Sequence, residues 1–466
     1  MKKWMLFCLL LNFIAANAFS QNISGKWMGK LNVGVELRIV FNISEQGDSL
    51  VTTLDSPDQG AYGIPTTKTT FTNNVLDITI PAINGGFKGN YNPEKNEIAG
   101  VWMQGGSNLP VNLAKVDSVE PAKRLQTPVK PYPYKEEEVT FQNKMADSVT
   151  LAGTLTIPEG NGPFKAVVLV TGSGPQNRNE ALLGHEPFLV LSDYLTRKGI
   201  IVLRYDDRGI AKSTGNFEKA TSADFATDAS AAVNYLKSRK DLNISEIGIA
   251  GHSEGGLIAP LAATQNKNVD FIVLIAGPGI AGDSILYLQG DLIAKAGGYS
   301  EPSVKALNQL RHQIIQVVKT ETDTAIMAKK IIALNKEFLI ATSPDVLEEI
   351  QMTIADTTSS IDFYANMWMK YFISYDPRPA LEKTKIPVLA INGTTDLQVP
   401  YKENLGAIEK ALQVAGNKNY KIVPLENLNH LFQTSNSGSP MEYATNAESF
   451  NENAMQVITE WILSLK

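Results

Sequence analysis

The sequence predicts an α/β protein with a mostly parallel sheet and helices on both faces, a helical cap inserted into it, and a small all-β domain in front. Three observations predict this. The first is Ile247-Gly248-Ile249-Ala250-Gly251-His252-Ser253-Glu254-Gly255-Gly256, a short β-branched run that passes through a glycine-flanked serine straight into an apolar helix. The second is a change of pattern near Lys135: alternating strands lie before it, and strands that alternate with helices lie after it. The third is a helical stretch of more than a hundred residues between two sheet strands, far longer than a simple crossover.

Bulk properties exclude several classes. The net charge of −6 leaves no basic surface for nucleic acid. Residues 1–18 read as an export signal, with Lys2-Lys3 as the basic start, Trp4 to Ala15 as the apolar stretch and Ala16-Asn17-Ala18 as the small-x-small cleavage pattern. The apolar run is too short for a stable membrane span. The only cysteine, Cys8, lies in that segment, and Met5-Leu6-Phe7 before it lack the small residues expected ahead of a lipid-modified cysteine. The mature chain is therefore expected to be periplasmic or secreted, with no disulfide, no thiol nucleophile and no cysteine metal site.

Residues 19–116 read as a β-barrel or sandwich accessory domain. Leu37-Arg38-Ile39-Val40-Phe41-Asn42-Ile43 and Leu76-Asp77-Ile78-Thr79-Ile80 alternate with period two, and turns at Glu45-Gln46-Gly47-Asp48, Asn73-Asn74 and Asn92-Pro93-Glu94-Lys95-Asn96 separate such runs. Gly25-Lys26-Trp27-Met28-Gly29 is echoed by Gly100-Val101-Trp102-Met103-Gln104-Gly105, so these two strands are expected to pair and close the meander. Residues 117–134 form a linker, because Pro121, Pro128, Pro131 and Pro133 favour an extended path.

Residues 135–466 form the second domain. An opening hairpin is expected at 138–141 and 151–157, then buried strands at 166–171, 200–205, 247–250, 271–276, 388–391 and 420–424, with a helix near 225–239. Helices are expected at 284–296, 303–319, 325–339 and in one longer run from 345 towards 372, which together make a cap at about 280–378. Met352, Met367, Trp368, Met369, Tyr371 and Phe372 line either an acyl pocket or the cap's own core.

A serine between two glycines suits a tight strand-to-helix turn that exposes its Oγ, and the helix that follows points free N–H groups at whatever binds beside it. This stretch resembles the nucleophile elbow of the α/β-hydrolase fold. Serine needs a base, and the base needs a group to orient it. In that fold the order along the chain is serine, acid, histidine. Of the four histidines, His252 sits inside the turn, His312 in the helical insertion and His185 upstream of the serine; His430, after the last strand, satisfies the order. The acid is expected just past a strand tip, where Asp396 lies, and Asp376 and Asp283 do not follow a sheet strand. Backbone N–H groups of Glu254 and of Ser173 or Gly174 are expected to form the oxyanion hole. The Gly172-Ser173-Gly174-Pro175 loop lacks the Gly-Lys-Ser/Thr of a phosphate-binding loop.

Gly-Ser-Gly-Pro-Gln-Asn-Arg (172–178), Tyr-Asp-Asp-Arg-Gly (205–209), Gly-His-Ser-Glu-Gly-Gly (251–256), Ile-Pro-Val-Leu-Ala-Ile-Asn-Gly-Thr-Thr-Asp (386–396) and Asn-His (429–430) together resemble a family of bacterial serine carboxylesterases within the α/β hydrolases, some of which carry an extra N-terminal β domain. The resemblance spans about residues 135–466. It implies ester hydrolysis through Ser253, Asp396 and His430, with no metal or organic cofactor. One departure is Ile210-Ala211-Lys212-Ser213, where relatives often have a glycine before the Lys-Ser pair. Two other readings stay open: a serine peptidase or amidase with the same triad, and a glycan-binding protein on a degenerate hydrolase scaffold. The expected substrate is a small-molecule or acylated-glycan ester. Acyl-chain preference, oligomeric state and the role of the β domain are written in no motif.

Overall fold

The computed structural model describes residues 23–466 except 48, 105, 106, 123, 147, 148, 359 and 360. The proposed export signal with Cys8, and the turn residues Asp48, Gly105 and Gly106, lie outside the described residues.

Nine antiparallel strands build the first sheet: β1 Gly25–Asn32, β2 Glu36–Gln46, β3 Ser49–Ser56, β4 Ala61–Pro65, β5 Lys68–Thr72, β6 Val75–Ile80, β7 Gly85–Asn92, β8 Glu97–Gln104 and β9 Ser107–Val116. Their order is β4-β3-β2-β1-β9-β8-β7-β6-β5. The sheet is joined through its first and last strands, and its two edges are consecutive in the chain. It curls until β3 and β5 touch, where Thr66 Oγ1 donates to the Thr52 carbonyl at 2.9 Å. Inward residues of alternate positions fill the interior, with Trp27, Phe41 and Phe87 fully buried and Trp102 nearly so. Asn73 and Asn74 both take positive φ, as a two-residue hairpin between β5 and β6 requires.

The expected pairing of the two Gly/Trp strands is corrected here. β1 pairs with β9, not with the strand that holds Trp102, and β8 lies one place further along. Trp27 and Trp102 still share one core, because both strands turn the same face inward.

The described residues of the linker form no helix or strand; they turn at 124–127, where the Thr127 N–H donates to the Arg124 carbonyl at 3.1 Å, and the segment is pinned. The Arg124 guanidinium donates to the carbonyls of Asp58, Leu183, Ala444 and Asn446 at 2.7–3.2 Å. A Cβ on Gly60 would lie 2.6 Å from the Gly184 Cα, so the β domain sits backbone-to-backbone on the loop around residue 184.

The second sheet contains β10 Lys135–Gln142, β11 Thr150–Ile157, β12 Phe164–Val170, β13 Ile200–Tyr205, β14 Ile244–His252, β15 Phe271–Ile275, β16 Val388–Gly393 and β17 Tyr420–Leu425. Their order is β10-β11-β13-β12-β14-β15-β16-β17. β11 runs antiparallel to both neighbours, and the pairs from β13 to β17 are parallel. The parallel strands are apolar along almost their whole length because helices cover both faces. α1 Pro187–Arg197 and α12 Glu452–Ser464 cover one face. α2 Ser222–Ser238, α3 Glu254–Gln265 and α11 Tyr401–Val414 cover the other. α1, α11 and α12 lie outside the helices expected from sequence.

Between β15 and β16 the chain forms α4 Gly282–Ala296, α5 Glu301–Thr320, α6 Thr324–Ala341, α7 Pro344–Ile350, α8 Ile361–Ala365, α9 Met367–Ser374 and α10 Arg378–Leu381. The single long helix expected from 345 to 372 is broken. Gln351 takes a left-handed conformation that ends α7, Thr353 and Asp356 form a capping box for a short 3₁₀ turn, and Asn366 caps α9 through the Met369 N–H. An apolar periodicity carried past three capping residues reads as one helix in sequence and folds as several.

Ala211 occupies the place where a glycine was expected and takes φ +47°. A non-glycine residue there carries about 1 kcal/mol of backbone strain. The loop around it is held by buried ion pairs, Arg178 with Asp206 at 2.7 Å and Arg208 with Asp228 at 2.7 Å.

Candidate active site

The chain turns from β14 into α3 in one residue. Ser253 has φ +52° and ψ −118°, a strained conformation that pushes its side chain out of the turn. The flanking glycines are obligatory. A Cβ on Gly251 would fall 1.9 Å from the Gly255 carbonyl oxygen, and one on Gly255 would fall 2.1 Å from that of Val170.

Two other strand ends deliver the partners of Ser253. Asp396 follows the tip of β16 and His430 follows β17, so all three groups meet at the C-terminal edge of the parallel sheet. Ser253 Oγ lies 3.0 Å from His430 Nε2, and His430 Nδ1 lies 2.8 Å from Asp396 Oδ2. The other carboxylate oxygen, Oδ1, accepts the N–H groups of Gln398 (2.8 Å) and Val399 (2.9 Å). These bonds hold the carboxylate as an acceptor, so His430 carries its proton on Nδ1 and leaves Nε2 free to take one from the serine. Asp396 is 3% exposed and His430 5%.

The remaining candidates lie elsewhere. Asp283 pairs with Lys319 and Asp376 with Arg378, both within the cap. His312 stacks on Tyr287 with ring centroids 3.6 Å apart. His185 is buried between the Ser449 hydroxyl and the Tyr443 carbonyl; burial pushes its imidazole down to about 4, so it is neutral.

The triad opens into a cavity of about 260 Å³. Cap residues Phe363, Trp368, Met369 and Phe372, with Ile285 and Leu286 of α4, form its apolar wall. Of the six residues expected in a pocket or in the cap's core, only Trp368, Met369 and Phe372 reach the cavity. Met367 is half exposed instead, and Met352 packs at the margin of the main core. Ser173 lines the catalytic cavity, whereas Gly174 lines a separate small one. The Glu254 N–H lies in the first turn of α3, where a helix offers no carbonyl of its own.

Two functional contacts have no signal in the sequence. The Glu254 carboxyl is buried and accepts from Ser222 Oγ (2.6 Å) and from Trp368 Nε1 (2.7 Å), which ties the cap to the elbow. Burial pushes this carboxyl above the usual range. Glu180 accepts from the Gly172 N–H at 2.7 Å and bonds His252 Nδ1 at 2.9 Å.

Among the described residues there is no group of three or more His, Cys, Asp or Glu side chains that would hold a metal ion, and no helix is long and apolar enough to cross a membrane.

The chain is 28% identical over 344 residues to the esterase EstD of Thermotoga maritima, covering 72% of this chain and 69% of that protein. A shorter match, 29% identical over 123 residues, joins 26% of the chain to 37% of an acyl transferase of Photorhabdus laumondii. The solved Pyrococcus furiosus esterase Pf2001 aligns at 16% identity with a TM-score of 0.41, over 73% of this chain and 98% of its own. A family model matches residues 113–425, from the last strand of the β domain to the final strand of the second sheet. That match takes in well over half of the sequence, and by it the chain belongs to the X-Pro dipeptidyl-peptidase (S15) family.

Proposed function

We propose that the protein is an exported serine carboxylesterase that acts on small carboxylic esters, acylated glycans included. One observation carries the reading: Ser253, His430 and Asp396 form an unbroken hydrogen-bonded line at the mouth of a mainly apolar cavity. Ser253 Oγ attacks the ester carbonyl as His430 Nε2 takes its proton. The oxyanion is stabilised by the Glu254 and Ser173 N–H groups. The tetrahedral intermediate collapses, His430 returns the proton to the departing alcohol, and an acyl-enzyme remains on Ser253. Water, activated by the same histidine, releases the acid.

The family name raises a peptidase reading, and the cavity favours esters over it. Removing a dipeptide from a free N-terminus requires a group that holds the substrate ammonium, and a buried carboxylate is the natural one. Among the described residues, the only acids that line the cavity are Glu180 and Glu254. The Oε1 of each is already engaged by donors of the protein itself.

The decisive test compares p-nitrophenyl esters from acetate to decanoate with aminoacyl p-nitroanilides. The wild type is expected to turn over the esters, best at the short end, because the cavity is small. Trp368→Ala, which removes the largest wall residue, is expected to move the optimum to longer chains. Hydrolysis of the anilides alone would sink the esterase reading.

Export is supported by the basic start, the apolar stretch and Ala16-Asn17-Ala18. N-terminal sequencing of the protein recovered outside the cytoplasm is expected to begin at Phe19; an intact Met1 would count against it.

A further inference from the structure

His252, next to the nucleophile, takes no part in the proton transfer described above, yet its ring is fully engaged. Nδ1 lies 2.9 Å from Glu180 Oε1, and Nε2 lies 2.9 Å from the backbone carbonyl oxygen of His430. A carbonyl oxygen only accepts. Glu180 Oε1 already accepts the Gly172 N–H at 2.7 Å. A neutral imidazole offers one donor and one acceptor nitrogen, so it cannot serve two acceptors. With Glu180 as a carboxylate, which only accepts, both ring nitrogens carry protons and the Glu180 carboxylate balances the charge. Glu180 and His252 are each about nine-tenths buried or more, so the pair is screened from water.

The surroundings agree. The other charged or titratable groups facing the ring are the Asp396 carboxylate and His430, whose ring centroid is 4.9 Å away; Phe432 meets it edge-on. Burial opposes the charge on His252, but Glu180 and the His430 carbonyl outweigh it and hold the imidazole above its ordinary range.

Glu180 also sits at φ +51°, which a glutamate adopts only when its surroundings demand it. It begins the loop that the linker and the β domain brace from outside, through Arg124 on the Leu183 carbonyl and Gly60 on Gly184. We infer that Glu180 and the imidazolium of His252 form a positioning pair that fixes two parts of the site at once: the Gly172 end of the oxyanion loop and the main chain of His430. Gly172 precedes Ser173, whose N–H is assigned to the oxyanion, so a shift at Gly172 misplaces that donor. A shift of the His430 backbone misaims the base.

The inference rests on the serine-hydrolase reading for its rate effect and not for its structural part. The test is a long-range ¹H–¹⁵N spectrum of the full chain labelled at histidine. The sequence has only four histidines, and His252→Gln assigns the resonance. Both ring nitrogens of His252 are expected to be protonated from about pH 6 to 8, where a free histidine loses its charge. Glu180→Gln is expected to abolish that signature and to lower kcat on a p-nitrophenyl ester about tenfold or more with little change in KM, as a misplaced catalytic group does. His252→Gln is expected to give the same rate loss and carries that measurement if Glu180→Gln fails to fold. A neutral His252 at pH 7 would overturn the proposal, and so would full kcat in the folded variants. The spectrum needs no turnover, so a protein inert on esters leaves the structural part standing.

Discussion

Ser253→Ala is expected to lower kcat for ester hydrolysis by about a millionfold while leaving the protein folded, on the scale seen when a triad serine is removed. The geometry explains both halves. His430 Nε2 has Ser253 Oγ as its only hydrogen-bond partner among the described residues, so without the hydroxyl no other nucleophile stands in line with the base. The loss leaves the oxyanion donors and the cavity untouched, and these account for whatever rate survives. Alanine inherits the φ of +52° that serine already tolerates, and His430 Nε2, left without its partner, lines the cavity, where water can bond it, so the stability change stays within about 1 kcal/mol. Steady-state rates beside circular dichroism and a thermal melt make the check. A folded variant that keeps substantial activity would place the nucleophile elsewhere.

The second large effect is expected from Asp396→Asn, a loss in kcat of about ten thousandfold with little change in KM. Asp396 Oδ1 is committed to the Gln398 and Val399 N–H groups, so the asparagine carbonyl oxygen must take that side. Its NH₂ then faces His430 Nδ1, where the carboxylate stood at 2.8 Å. Two donors cannot face each other, so the imidazole shifts its proton to Nε2. That nitrogen can then no longer accept from Ser253, and the serine hydroxyl loses its base. The same measurement on the alternative acids separates the cases: Asp283→Asn and Asp376→Asn, which lose only cap ion pairs, are expected to keep kcat within about threefold, as surface pairs contribute little. A loss below about tenfold for Asp396→Asn would show that another group orients the histidine.

Much of this site was legible before any coordinates. The turn at Ser253 is specified within ten residues, because a strand that enters a helix through one residue needs glycine on both sides to avoid backbone clashes. Asp396 was legible because a buried apolar strand ends three residues before it in a glycine turn, and His430 because only one histidine follows the last strand. The period-two runs of the β domain likewise announced the faces of its strands.

Other features escaped the sequence. The partner of β1 was misjudged because two strands that look alike need not be neighbours: the choice between β8 and β9 depends on how many strands complete the ring. The run from 345 to 372 looked like one helix because its apolar period continues through residues that cap and restart it. Glu180 carries no local pattern at all, and the apolar run that marks Trp368 for a pocket or a core gives no sign of its bond to Glu254. The two side chains reach His252 and Glu254 across 72 and 114 residues.

What the sequence by itself determined is therefore what backbone sterics and hydrophobic periodicity decide over a few residues: the elbow, the strands, the helical class of the insertion and the order of the triad. Only the tertiary structure decided which strands meet, which cap side chains reach the cavity, and that a buried carboxylate and a second histidine brace the site. Those contacts join segments that sequence separation says nothing about, and their energy exists only once the sheet has brought the segments together and excluded water from between them.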